Sequence, residues 1–463
     1  MGKKKFRMID AVLTCICVIF VAEAAAPVAS IGNSQYFWWL FMLVLFLLPY
    51  GLISSELGTT YDNGGGLYDW VSAGMGKKWA TRASWYYWIN FPLWMASLAV
   101  MIPDLISTMT GYEFEGAAGI ILSLVLQLAF VWIIYAIAVT PLADANWILN
   151  GAAVIKVILA VFVGVLGVIG LVKNGSANPI NGIGDLLPSF DLDSLSYISV
   201  IIFNLLGFEV ICTMSDDMEN PKKQIPQAIV ISGLVVAFIY MFGAFGIGSA
   251  IPADELSADS GLIDAVSALL ASLSIEGKLI ITATAFLFML TLFGNMASWS
   301  TGVNEVAAMA AENGDMPAPF GKRNSKERCT GAALINSVVA SVVVVLGVIL
   351  SQLGFDDLFW AFFALNLVAF LAAYIPIFPA FLNLRKKDPD KERPFRAPGG
   401  KAMSYVLAII PMILIIASII FTAVPFSFDS ETLQSVLPIT IGAVLVFIIG
   451  EVLVSKYSGK KKN

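Results

Sequence analysis

Three charged residues stand where an apolar chain should not hold them. Glu23, in FVAEAAAPVASIGNSQ, follows twelve residues that are apolar but for Thr14, and Pro27 comes four positions later. Glu209, in SVIIFNLLGFEVICTMSDDMENPKKQIPQAI, lies two residues after Gly207 and five after Asn204. Lys156, in NGAAVIKVILAVF, is the one basic residue deep in an apolar run. A charge held in hydrocarbon costs roughly 2.5–3.5 kcal/mol on insertion scales, so it is kept where it binds something. Two buried carboxylates can hold a cation through charge-assisted hydrogen bonds. An ammonium at such depth needs a carboxylate or backbone carbonyls beside it, unless its stem lets it snorkel to an interface.

Both carboxylates sit beside helix breakers. Pro27 lacks the N–H that would continue a helix, and Gly207 follows an asparagine in an otherwise apolar run. Unpaired backbone at membrane depth is tolerated only where it is buried in protein or lines a cavity. The alternative is a proline kink with Glu23 paired for packing alone. Interrupted segments at corresponding positions of two halves point to a transporter's binding site. Aromatic residues could complete such a site by stacking on a cation. Phe203, six residues before Glu209, and Trp299, among small polar residues in GNMASWSTGVNE, are the two candidates; core packing is the other reading of each. Glu56 and Glu305 fall near span ends and read as helix-end or gate residues. TYDNGGGLYDW (60–70) has three consecutive glycines, but no Lys-Ser/Thr follows and no strand precedes, so it reads as a connector and not as a phosphate cradle.

The elements that must position these residues are membrane helices. The 463-residue chain is 58% hydrophobic and 13% charged, against about 45–50% and about 25% in soluble domains. Apolar stretches of about 20 residues place twelve spans at 9–33, 36–58, 81–108, 117–140, 147–172, 195–216, 226–250, 278–311, 330–353, 357–384, 403–424 and 433–455. All but three of the 27 lysines and arginines (Lys156, Lys173 and Lys278) then fall in the termini and in alternate loops on one side. The excess of positive charge marks that side as cytoplasmic, with both termini inside. The opposite loops are acidic, which either concentrates cations at the mouth or follows by default from the exclusion of lysine and arginine. The basic segment before the first span resembles the start of a signal peptide, but no convincing cleavage site follows, and it reads as a retained first span. With no histidine and four cysteines (Cys15, Cys17, Cys212 and Cys329) in unpromising spacing, neither a metal or cofactor site nor a disulfide is expected. No filter loop or ring of like residues suggests a channel. No nucleophile–base pair suggests an enzyme, and nothing points to nucleic acid.

The chain resembles the amino acid–polyamine–organocation transporter superfamily over nearly its whole length. GFEVICTMSDDMENPKKQIPQAI is similar to that superfamily's sixth helix and following loop, SSELGTTYDNGGGLYDW to its second helix, and MASWSTGVNEVAAMAAENGDMPAPFGKRN to its eighth. The resemblance implies an all-α, LeuT-like fold of twelve helices in a single transport domain. Its parts are a first repeat over 1–172, an inverted second repeat over 195–384, and helices 11 and 12 over 403–455, with helices 1 and 6 unwound at mid-membrane. It implies an aromatic gate at Phe203, a substrate or proton-coupling carboxylate at Glu209, an aromatic lining at Trp299 and a coupling role for Lys156 near a vacated sodium site; the two interrupted segments add Glu23, Ala26, Asn204 and Gly207 as expected substrate contacts. Typical amino-acid members carry Gly-Ser/Ala-Gly at the helix-1 break to grip a substrate carboxylate. Here the stretch reads AEAAAPVAS, and an anionic group would meet Glu23. The expectation is an antiporter for small cationic amines in a bacterial cell membrane, with agmatine against putrescine the best match. An exchanger of an amino acid and its decarboxylated amine (such as tyrosine and tyramine) and a proton-coupled amino acid permease are the alternatives. Oligomeric state is not legible.

Overall fold

A computed structural model describes residues 7–61, 66–140, 146–188, 190, 192–208, 211, 218–257, 261–354 and 357–458. Among these the chain is helical throughout, with no β-strand. It begins with α1 (Met8–Ile19) and the short α2 (Ala25–Ala29), separated by Phe20, the extended Val21 and one 3₁₀ turn. Next, α3 (Gln35–Met42) runs through a π turn into α4 (Leu48–Thr60), and α5 (Leu67–Met75) lies after the connector. The long helices α6 (Lys77–Thr110), α7 (Gly116–Ala138) and α8 (Asn146–Asn174) complete the first half. The second half holds α9 (Leu192–Phe203), α10 (Pro221–Ala250), α11 (Gly261–Ser272), α12 (Lys278–Glu312) and α13 (Thr330–Ser351). It closes with α14 (Leu358–Tyr374), α15 (Ile377–Lys387), α16 (Gly400–Ala423) and α17 (Ser430–Tyr457).

Among the described residues, ten helical stretches are long and apolar enough to cross a membrane. At 1.5 Å per residue, α1 and α9 each reach only about 18 Å, short of the roughly 30 Å hydrocarbon core. The structure differs from the sequence expectation in three places. The apolar stretch 357–384 divides into α14 and α15 at Ile375 and Pro376, where proline removes a backbone donor. The connector after α4 turns into a helix from Leu67 onward, although residues 62–65 lie outside the described residues. Finally, α11 is too short to have registered as a span.

Burial sorts the helices. The most apolar stretch of α6 is 83% buried inside the protein, whereas those of α7 and α17 are 22% buried and turn most of their surface outward. Around this central helix pack α12, α13 and α14. A second tight contact joins α8 to α10 through small residues. A Cβ placed on Gly246 would stand 2.4 Å from the Val163 carbonyl oxygen, and Gly164 and Gly167 are equally crowded. Close approach of this kind, made by van der Waals packing, is how membrane helices associate. Lys156, Ala160, Val163 and Gly167 share one face of α8, so the packing that seats α8 on α10 carries Lys156 into the bundle.

Candidate functional site

The chain leaves helical geometry between Ile19 and Ala25, and other elements satisfy the freed backbone groups. The Val21 N–H donates to the Tyr240 hydroxyl at 2.7 Å, and that hydroxyl donates to the Ile19 carbonyl at 3.4 Å. Trp299 donates its indole N–H to the Val18 carbonyl at 2.8 Å. Tyr240 is itself held by Trp39, stacked at 5.2 Å, and by the edge of Phe20 at 4.6 Å. Every one of these side chains is buried. An interruption at this depth is therefore supplied with partners, as an apolar surrounding demands.

Glu23 lies within this break, in the turn Ala22–Ala24, and is 2% exposed. Its Oε1 accepts from Asn295 Nδ2 at 3.0 Å, and Asn295 Oδ1 in turn accepts from Lys156 Nζ at 2.8 Å. Lys156 is 1% exposed. Where the sequence led to the expectation of a carboxylate or backbone carbonyls beside this lysine, the structure places a side-chain amide carbonyl, with the carboxylate one step further on. Glu23 Oε2 accepts no hydrogen bond among the described residues. The indole N–H of Trp94 stands next to the same carboxyl without reaching hydrogen-bond geometry. A buried carboxylate oxygen with no donor in hydrogen-bond geometry among the described residues is the chemistry that receives an ammonium or guanidinium.

Beside it four aromatic rings close a circuit. Trp94 meets Phe203 at 5.2 Å and Trp299 at 5.6 Å between ring centroids, both edge to face. Phe370 meets Phe203 at 5.2 Å and Trp299 at 5.7 Å, also edge to face. Gly207, at the end of the chain leaving α9, has φ +98, where L side chains are strained, and a Cβ there would come within 3.2 Å of the Trp299 ring. Asn204 is fully buried, and neither atom of its amide has a partner among the described residues. Ala26 is buried in α2 and packs toward α11, its Cβ 3.0 Å from where a Cβ on Gly261 would sit. Glu209 lies outside the described residues.

At the end of the bundle that carries the basic loops, Glu56 is clamped. Arg385 donates to both of its carboxylate oxygens at 2.9 and 2.5 Å, Arg393 donates at 3.1 Å, and the Ala397 N–H donates at 2.8 Å. Glu305 pairs with Arg323 at 2.6 Å nearby and accepts from the Cys329 thiol at 3.0 Å. Burial and the Glu305 carboxylate push that thiol up to about 12. Neither Cys15 nor Cys329 is in a disulfide. At the opposite end a cavity of about 470 Å³ opens between Asn33, Ser34, Asn178, Asp185 and Ser194.

A family model described as amino acid permease matches residues 7–449. The chain belongs to that family. A Lactococcus lactis protein named as a probable agmatine/putrescine antiporter is 56% identical to this permease over 456 residues, covering 98% of this chain and 96% of its own. An Arabidopsis thaliana protein named as a probable polyamine transporter is 27% identical over 381 residues, covering 81% and 70%. A glutamate/gamma-aminobutyrate antiporter of Lactococcus lactis is 22% identical over 419 residues, covering 88% and 82%.

Of the residues singled out in the sequence, Glu23, Lys156, Phe203, Asn204, Gly207 and Trp299 are all buried around the break of this permease or its aromatic circuit. Asn295, Trp94, Tyr240 and Phe370 were missed. Asn295 left one trace: it precedes Trp299 by four residues and so shares its helix face. The other three are ordinary members of an aromatic-rich sequence, and nothing in their local spacing marks them.

Proposed function

We propose that this permease is an antiporter of small dicationic amines that exchanges agmatine for putrescine by alternating access. One observation carries the reading: Glu23 presents a carboxylate oxygen with no partner among the described residues, beside an aromatic circuit at a helix break. An amino acid would bring its own carboxylate against Glu23, whereas its decarboxylated amine brings only cations. The near full-length likeness to a probable agmatine/putrescine antiporter supports the same assignment.

In this reading the twelve helices form two inverted five-helix repeats over 1–172 and 195–384, followed by two helices over 403–455. The pair α1 and α2, and α9 with the chain beyond it, are then the unwound helices 1 and 6. The basic end and both termini face the cytoplasm of a bacterial cell. The cavity beside Asp185 is the outer vestibule, and the Glu56 clamp closes the inner side. Glu23 and Glu209 neutralise the substrate, with Phe203, Asn204, Gly207, Trp299 and the α2 backbone near Ala26 shaping its seat. Lys156 supplies through Asn295 the fixed positive charge that a sodium ion supplies elsewhere.

The test is counterflow in proteoliposomes of purified protein. Internal putrescine should drive uptake of labelled agmatine, and internal agmatine the uptake of labelled putrescine. Internal arginine should drive neither. Uptake driven equally by an empty interior and a proton gradient would replace exchange with proton-coupled import.

A further inference from the structure

Two buried asparagines have both amide atoms unpartnered among the described residues and lie beside the aromatic circuit: Asn204 and Asn366. Orphaned buried polar groups are rare and ask for an explanation. The position of Asn366 on α14 can be fixed from its neighbours. Phe363 and Phe370, three residues before and four after it, both contact the Phe203 ring, at 5.8 and 5.2 Å. Ala364 and Val368 instead pack with Ala423, Ile439 and Ala443 of α16 and α17. Asn366 is two residues from each of these and so falls on the opposite face, toward α6 and α9.

Its depth follows from α6. Tyr87 contacts Phe370 and Tyr374, and Trp94, two turns later, contacts Phe203. The two helices run antiparallel, so Asn366 lies near the level of Trp94. Asn204 directly follows Phe203, the ring that touches both α6 and α14. Contacts run from Lys156 through Asn295 to Glu23 and from Trp94 through Phe203 to α14, the helix that carries Asn366, with Asn204 next to Phe203 in the chain.

We infer that Asn204 and Asn366 form the second pole of the site and receive the cationic end of the amine that Glu23 does not hold. The inference rests on the dicationic-amine reading above. Exchange between agmatine and putrescine asks one site to accept molecules that share one primary ammonium and differ at the other end. A carboxylate suits the shared end. For the variable end, two neutral carbonyls on rotatable amides accept from either the three donors of an ammonium or the five of a guanidinium. The faces of Phe203 and Phe370 add a cation–π surface. Of the two, guanidinium is planar and forked and can engage both carbonyls at once, so agmatine depends on the pair more than putrescine does.

The experiment measures binding of agmatine, putrescine and n-butylamine to purified wild-type, Asn366→Ala and Asn366→Asp protein by calorimetry, with size-exclusion profiles as the check on folding. Asn366→Ala should weaken agmatine by roughly 10- to 150-fold, the worth of a hydrogen bond to a charged group, and putrescine by less. Butylamine has no second cation and should stay within about twofold of wild type. Asn366→Asp should tighten both diamines relative to butylamine, an outcome that does not depend on the alanine variant folding. Equal weakening of all three ligands, or unchanged agmatine, would overturn the second pole and leave the antiporter reading standing. Failure of wild-type protein to bind either diamine would overturn the substrate reading itself.

Discussion

Glu23→Gln is the substitution whose outcome the geometry constrains most. The glutamine carbonyl can take the place of Oε1 and go on accepting from Asn295 Nδ2, now at 3.0 Å. The link to Lys156 survives, so the change falls on the ligand side. There Oε2, without a partner among the described residues, becomes an amide NH₂ that meets the donors of an ammonium with donors of its own. Removing one member of a buried charge pair costs about 3–5 kcal/mol, roughly 150- to several thousand-fold in affinity. Agmatine and putrescine should lose affinity by that order. Arginine, which is agmatine with an α-carboxylate, should lose far less, because the substitution also removes the repulsion between that carboxylate and Glu23. The assay is competition against labelled putrescine by agmatine and arginine in wild-type and Glu23→Gln proteoliposomes. The preference for agmatine over arginine should collapse. An equal factor of loss for both ligands would refute the reasoning and leave Glu23 a structural role.

Two further outcomes follow from the fixed charges. Exchange should proceed at the same rate when sodium is replaced by potassium, and Lys156→Met should slow exchange more than ten-fold while changing putrescine affinity by only about two- to three-fold, measured by counterflow and by calorimetry on the same preparation; a strong sodium requirement would exclude the substitute-charge role. Glu56→Ala leaves the guanidinium groups of Arg385 and Arg393 facing each other at a largely buried site, a loss of about 3–5 kcal/mol. It should lower the melting temperature in detergent and expose an introduced A397C thiol to maleimide; an unchanged melting temperature with a protected thiol would show that the clamp is not what holds this end shut.

What the sequence made legible was what a membrane makes expensive. Glu23 and Lys156 stood out because a charge in an apolar run has no cheap explanation, and both are buried in one hydrogen-bonded chain. Trp299 stood out through the small polar residues around it. Their partners carry no such mark. Asn295 looks like any helix asparagine, and the role of Tyr240 depends on α10 passing the break between α1 and α2, a tertiary fact that no local period encodes. The same holds for Trp94 and Phe370 in a chain that is 12% aromatic, where abundance hides the few rings that matter. The long helices were readable from hydropathy, whereas α5 and α11 were too short to register as spans.

The capping of the helix break by Tyr240 and Trp299 bears on affinity in another way. Both hydrogen bonds are made by the protein's own side chains, so the bent backbone exists before any substrate arrives. Fixing one residue's backbone costs about 1–2 kcal/mol of conformational entropy, and here that ordering is completed during folding and does not recur at each binding event. A site of this kind is preorganised: in the proposed exchange neither partner is charged for shaping it, and the two compete on their own contacts alone. For the proposed antiporter, which would release one amine as readily as it takes up the other, a rigid seat keeps the two affinities close and the exchange reversible.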